Sequence, residues 1–267
     1  MTEEGTAGDL LRLSRLSLRR NGREILREVD WQADRGSHWA VIGANGSGKT
    51  TLLRIVTGVL FPSSGEAQVL GCRFGASDLL ALRRRIGWVS SALQARMPPD
   101  ETAKEIVLSG LQATFGLVYQ YDRTDASLAD ERLSEAGLSD RADTPFGVLS
   151  QGEQQRTLFA RARMANPEIL VLDEACAGLD LRAREEFLTH VGVVARRGGA
   201  SVILVTHHLE EIPPAITHAL VLREGRVLAS GPIAACLTSE SLSQAFRLQV
   251  NLTQRQGRFT VQVEGMA

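Results

Sequence analysis

Long apolar runs are missing from this chain. None approaches the ~18 residues that a bilayer-spanning helix requires, so action at a membrane calls for another chain to do the spanning. Cysteine is scarce. Cys72, Cys176 and Cys236 are too few and too scattered for a disulfide framework or a metal site, and they read as reduced thiols. Neither sign of charge dominates: 30 Lys and Arg face 31 Asp and Glu, a formal net charge of −1, so no overall pull toward nucleic acid or anionic lipid is expected. Residues 1–9 are small and acidic, unlike a signal peptide. No internal repeat is visible, which leaves one site's worth of machinery. What remains possible for 267 residues of 43% apolar content is one large α/β core with a smaller subdomain.

Against that background one stretch stands out. Gly43-Ala44-Asn45-Gly46-Ser47-Gly48-Lys49-Thr50 fits the phosphate-binding pattern G-x-x-x-x-G-K-[ST], which a chain of this length matches by chance about once in a hundred. The apolar run at 39–42 predicts a buried strand before it, and residues 51–57 a helix ending near Gly58. In a strand–loop–helix of this kind, glycines let backbone N–H groups turn inward around phosphates, and the helix dipole adds positive potential. Lys49 then reaches the β- and γ-phosphates and the Thr50 hydroxyl holds Mg²⁺. The expectation is a nucleoside triphosphate site.

A second constellation, Ile169-Leu170-Val171-Leu172-Asp173-Glu174, is an apolar strand ending in two acids. Asp173 is placed to coordinate Mg²⁺, directly or through water, and Glu174 to polarise an attacking water. Elsewhere the alternation of Leu11, Leu13, Leu16 and Leu18 predicts one or two short strands, 67–70 and 86–89 further strands, and 78–85 a short helix. Residues 92–148 turn mainly helical after the Met97-Pro98-Pro99-Asp100 break and form the candidate inserted subdomain. Strand patterns resume at 169–172, 201–206 and 218–223, with a long helix from Asp180 to about Arg197, and the tail at 236–267 holds a helix and a hairpin centred on Gly257. The fold class expected is α/β: a mainly parallel sheet, an N-terminal antiparallel β portion and a helical insertion.

Leu149-Ser150-Gln151-Gly152-Glu153 lies between the two constellations and resembles the LSGGQ signature of the ATP-binding cassette (ABC) ATPases, with Gln151 where glycine is usual and Glu153 where glutamine stands. Ser150-x-x-Glu153 is also a capping box, which alone would only start a helix running to Ala165. Ala177-Gly178-Leu179-Asp180 resembles the family's D-loop, and His207, after 201–206, its switch histidine. The resemblance spans about residues 10–235. It implies that Gly43, Ala44, Asn45, Gly46, Ser47, Gly48, Lys49, Thr50 and Thr51 bind ATP, and that Lys49, Glu174 and His207 are catalytic. It further implies that Ser150, Gln151, Gly152 and Glu153 close over the nucleotide of a second copy in a homodimer.

Two positions depart from the family. The loop glutamine that contacts Mg²⁺ is replaced by Ser91, with Gln94 three residues on, and the aromatic residue that stacks on adenine is replaced by Arg20, whose guanidinium can stack by a cation–π contact. The serine and the hairpin tail are similar to a molybdate-transport-like branch. The family reading makes the chain a Mg-dependent ATPase that energises separate permease subunits from the cytoplasmic face of a membrane. The alternative is a soluble ABC ATPase that switches a process such as repair or translation. Ile106, Val107, Leu108, Leu111, Phe115 and Val118 recur near helical spacing, with Tyr119 and Tyr121 beyond. They are expected to form a helix whose residues Leu108, Leu111 and Phe115 face inward, either as subdomain core or as a groove for a permease helix.

Overall fold

A computed structural model describes residues 8–266; residues 1–7, read above as unlike a signal peptide, lie outside the described part. In chain order the elements are β1 (Asp9–Arg20), β2 (Arg23–Asp34), β3 (Trp39–Ile42), α1 (Lys49–Val56), β4 (Ser64–Val69), β5 (Cys72–Arg73) and α2 (Leu79–Arg84). Then follow β6 (Ile86–Ser90), α3 (Ser91–Gln94), α4 (Ala103–Leu108), α5 (Arg123–Glu135), α6 (Gln151–Ala162), β7 (Ile169–Asp173) and α7 (Leu181–Arg197). The last stretch holds β8 (Ser201–Thr206), β9 (His218–Arg223), β10 (Arg226–Pro232), α8 (Ile233–Cys236), α9 (Ser239–Phe246), β11 (Leu248–Arg255) and β12 (Arg258–Met266). Two compact units result: the chain up to Leu82 together with everything from Ser201, and Arg83–Ala200.

The first unit contains an antiparallel sheet ordered β2-β1-β4-β5. The leucines expected to make one or two short strands instead lie on a single strand of 12 residues. Leu11 and Leu13 face the core with Arg12 outside, and the alternation then slips at Arg15, whose φ is 45° and whose N–H donates to Asp30 Oδ1 at 2.8 Å. That slip returns Leu16 and Leu18 to the inside. The partner strand β2 was not anticipated, although the two-residue Asn21-Gly22 turn, φ 49° and 74°, is a strong hairpin signal. The same unit holds β10-β9-β3-β8, in which β9, β3 and β8 are parallel and β10 is antiparallel. β3 and β8 are buried at every position, which is why both read as unbroken apolar runs. The hairpin β11–β12 turns at Gln256-Gly257 as expected.

In the second unit β6 and β7 pair in parallel, Ser90 opposite Asp173. Helix α6 lies so close to β6 that a Cβ at Gly87 would fall 2.2 Å from the Ala162 carbonyl oxygen. Ile106, Val107, Leu108, Ala129, Leu133, Leu158, Phe159 and Phe187 form its core. The apolar series from Ile106 to Val118 is not one helix. α4 stops at Leu108, a single 3₁₀ turn covers Ser109–Leu111, and Phe115, expected inside, is 41% exposed with the Arg96 guanidinium 3.6 Å from its ring centroid. The cause is Arg161 of α6, almost fully buried, which donates to Ser109 Oγ at 3.0 Å and to the Thr114 carbonyl at 2.7 Å and so holds the chain in a loop. Burial pushes the Arg161 pKa down to about 10, against an upward pull from Tyr119. α6 itself ends at Ala162, short of Ala165, in a turn that takes Asn166 to φ 47°.

Candidate functional site

In the first unit the phosphate-binding pattern forms the loop between β3 and α1. Its glycines differ in their reasons. A Cβ at Gly43 would strike the Leu222 carbonyl oxygen at 2.3 Å, while Gly48, at φ 105°, has Leu26 Cδ2 at 2.8 Å and the Ile25 carbonyl oxygen at 3.3 Å from the same point. Gly46, at φ 80°, has open space there, as a backbone facing a ligand should. Ser47 N–H donates to the Ala44 carbonyl, and the Ser47 carbonyl accepts from Gly225 N–H at 3.0 Å, tying the loop to the β9–β10 turn. Lys49 is buried and donates from Nζ to the carbonyls of Gly43 at 2.7 Å and Ala44 at 3.1 Å.

An anionic ligand fits this loop. Helix α1 has no acidic residue in its own first turn and no side-chain cap at Gly48, and a helix N-terminus of this kind favours an anion. Ser47 Oγ is buried with no hydrogen-bond partner in the protein. Asn45, Gly46 and Thr50 are exposed and Thr51 is half-buried. His207 follows β8 directly, and in the ladder Thr206 stands opposite Ile42, the residue before the loop; the strand register therefore brings His207 and the loop to one end of this sheet. Arg20 is exposed at the end of β1, and β2, which its hairpin leads into, supplies the Leu26 and Ile25 contacts to Gly48.

The second unit gathers the remaining residues. Asp173, buried, ends β7; Glu174 follows half-buried with φ 49°, a left-handed backbone that a glutamate holds only where its surroundings impose it. Beside them Ser90 ends β6 and caps α3, accepting from Leu93 N–H, and Ser91 is exposed in the first turn. Among the described residues no group of three or more His, Cys, Asp or Glu could hold a metal ion; Asp173 offers one carboxylate of the kind Mg²⁺ takes when substrate phosphates supply further oxygens.

At the signature the capping box is formed: Ser150 N–H and hydroxyl both reach Glu153 Oε2 at 2.8 Å, and Glu153 N–H returns to Ser150 Oγ at 3.3 Å. Arg141 adds a contact to Glu153 Oε1 at 3.0 Å. Burial pushes the Glu153 pKa up, but the Ser150 and Arg141 hydrogen bonds outweigh it and hold the carboxyl below its ordinary value. Gly152 lies against Ala183 at the start of α7, and the Gln151 side chain reaches the Ala177 carbonyl at 3.3 Å. Gln94 donates to Gln154 Oε1 at 2.6 Å, and Gln154 to the Phe146 carbonyl. Arg141 and Gln154 were missed because nothing local in the sequence pairs them with these partners.

The family model for the ABC transporter matches residues 26–177, from within β2 to the first residue of the D-loop-like segment. The chain belongs to the ABC transporter family. It is 43% identical over 251 residues to the uncharacterized ABC transporter ATP-binding protein YlmA of Bacillus subtilis, covering 93% of this chain and 95% of that one. ModF, an ABC transporter ATP-binding protein of Escherichia coli, is 35% identical over 75% of this chain and 41% of its own length, which lends weak support to the molybdate-like branch. Among solved structures, cbiO1 from Clostridium perfringens, part of the ABC transporter complex cbiONQ, superposes with a TM-score of 0.76 at 24% identity over 89% of this chain and 94% of that one. The dimeric structure of a bacterial ABC transporter cassette gives a TM-score of 0.72 at 25% identity, over 84% and 98%. The chain is thus an ATP-binding subunit of the kind that energises an ABC transporter, and the soluble-switch alternative is not favoured.

Proposed function

We propose that this ABC subunit hydrolyses ATP with Mg²⁺, and that two copies close over two nucleotides to drive separate membrane-spanning permease subunits. The observation that carries the reading is the loop at 43–50, with its orphaned Ser47 hydroxyl, uncapped helix and buried lysine. Residues Gly43 to Thr51 bind the triphosphate, Lys49 exchanging its two carbonyl partners for phosphate oxygens. Thr50 and Asp173 would hold Mg²⁺, with Ser91 where the family's loop glutamine stands. When bound, Mg²⁺ neutralises charge on the β- and γ-phosphates. Glu174 orients and polarises the attacking water, and His207 hydrogen-bonds the γ-phosphate. Ser150, Gln151, Gly152 and Glu153 serve the nucleotide of the second copy.

Among the described residues no helix is long and apolar enough to cross a membrane, which fits a subunit held at the membrane's inner face by a permease. The helices between 92 and 148 are read as the inserted subdomain that faces it, with Tyr121 and Val118 on its exposed surface. The direct test is ATP turnover of Lys49→Ala. Removing the charge that meets the phosphates should abolish hydrolysis, and turnover near the wild-type rate would place the active site elsewhere.

A further inference from the structure

We propose that Gln151 is a positioning residue: it ties the first turn of the signature helix to the turn that leaves the catalytic carboxylate, so that the signature loop and Glu174 of one subunit move together. The proposal rests on the roles given above to Glu174 and to the signature.

Three contacts make the tie. Gln151 Nε2 donates to the Ala177 carbonyl at 3.3 Å. The same amide lies against Gly178, where a Cβ would fall 2.3 Å from Nε2 and 3.2 Å from Cδ and push the glutamine aside, and the φ of 77° favours glycine there as well. One residue further along α6, a Cβ at Gly152 would stand 2.8 Å from Ala183 Cβ, which seats the helix start against the first turn of α7. The segment between is stiff. Ala177 N–H donates to the Glu174 carbonyl at 3.1 Å, Leu179 N–H to the Cys176 carbonyl at 3.1 Å, and Asp180 Oδ1 accepts from Ala183 N–H at 2.8 Å to cap α7.

Ala177 is therefore bonded in both directions, to Gln151 through its carbonyl and to Glu174 through its N–H. Glu174 holds a left-handed φ of 49°, a conformation its surroundings must impose, and the Gln151–Ala177–Glu174 chain is one of those surroundings. A glycine at 151, the residue usual in the signature pattern, has no side chain to make this link. When the signature loop of this subunit meets the phosphates on a second copy, Gln151 transmits that displacement to the backbone of its own Glu174.

The test is a double-mutant cycle on ATP turnover by the full chain, with Gln151→Gly, Gly178→Ala and the pair. Each single variant should lower kcat about two- to tenfold, the range of one hydrogen bond, and Gly178→Ala, which alters no nucleotide-binding residue, should hold KM for ATP within about twofold. Gly178 sits at φ 77°, so Gly178→Ala carries a backbone strain of its own, but the pair should lose less than the product of the two single effects, because part of the Cβ's action is to displace the Gln151 side chain. Additive effects, as two residues acting independently would produce, overturn the tie, and so does wild-type kcat in Gln151→Gly. Should Gly178→Ala fail to fold, Gln151→Met keeps the length and removes the donor; a kcat equal to the wild type there also overturns it. Lys49→Ala in the same assay separates the two levels. Turnover retained by that variant sinks the site reading and the tie with it, whereas an inactive Lys49→Ala beside wild-type Gln151 variants sinks the tie alone.

Discussion

The phosphate loop and the signature loop each present the N-terminus of a helix, yet they are built in opposite ways. At the phosphate loop, Gly43, Ser47, Gly48 and Lys49 are buried, the shape is set by backbone bonds and by glycines that no other residue could replace, and no side chain caps α1. At the signature, Ser150 and Gln151 are exposed, and side chains hold everything: a capping box, the Arg141 contact and the reach of Gln151 to Ala177. The first is a finished receptor for an anion. The second already carries its own carboxylate, Glu153, at the helix start, and its exposed serine bonds back to that carboxylate.

The comparison can be broken most severely at Gly48. Gly48→Ala forces a Cβ against Leu26 and Ile25 at φ 105°, so a loss of about 2 kcal/mol or more is expected, together with weakened nucleotide binding. Thermal melts with and without ATP measure both; an unchanged melting temperature would show that the loop is softer than described.

At the signature the expected loss is smaller and depends on pH. Because the folded pKa of Glu153 is depressed, its contribution is present above the ordinary carboxylate value and is lost as pH falls through the lowered one. Glu153→Gln keeps a capping oxygen but drops the charge, costing roughly 0.5–1 kcal/mol at pH 7 and nothing at acid pH, where the wild type has lost the charge as well. Parallel denaturation curves at pH 7 and below the lowered pKa check this, and an equal deficit at both would assign the stability to shape alone.

The smallest effect is expected at Arg20, the proposed base contact. Arg20→Ala should weaken ATP binding by about 1 kcal/mol and Arg20→Tyr restore it, within the range of an exposed cation–π stack. Equal affinity in all three proteins, read by equilibrium titration, makes Arg20 an ordinary surface charge.

What could be read in advance follows the same division. Elements fixed by local rules were visible in the amino-acid order: β3, β7, β8 and β9 as buried runs, α1 after its glycine loop, the Ser150-x-x-Glu153 cap and the Gly257 hairpin. Elements fixed by distant partners were not. The apolar spacing from Ile106 to Val118 fits a helix until Arg161, more than forty residues on, pins Ser109 and Thr114 and leaves Phe115 outside. β2 escaped because the Arg-Glu pairs at 23–24 and 27–28 break its alternation, although the pattern is regular from Val29 and Asn21-Gly22 marks its turn. At the phosphate loop the glycines were legible because backbone geometry demands them. Arg141, Gln154 and the Gln151–Ala177 contact became visible only once the fold brought separate segments together.

The central claim is that the exposed signature loop is finished by a second copy of this chain. On the role proposed for Glu174, Glu174→Gln removes the group that activates water while leaving the phosphate loop intact, so it should stall with ATP bound and accumulate as a dimer. Gel filtration with light scattering at saturating ATP and Mg²⁺ measures this directly: the account predicts twice the monomer mass with ATP and the monomer mass without it, and a monomer under both conditions would contradict it.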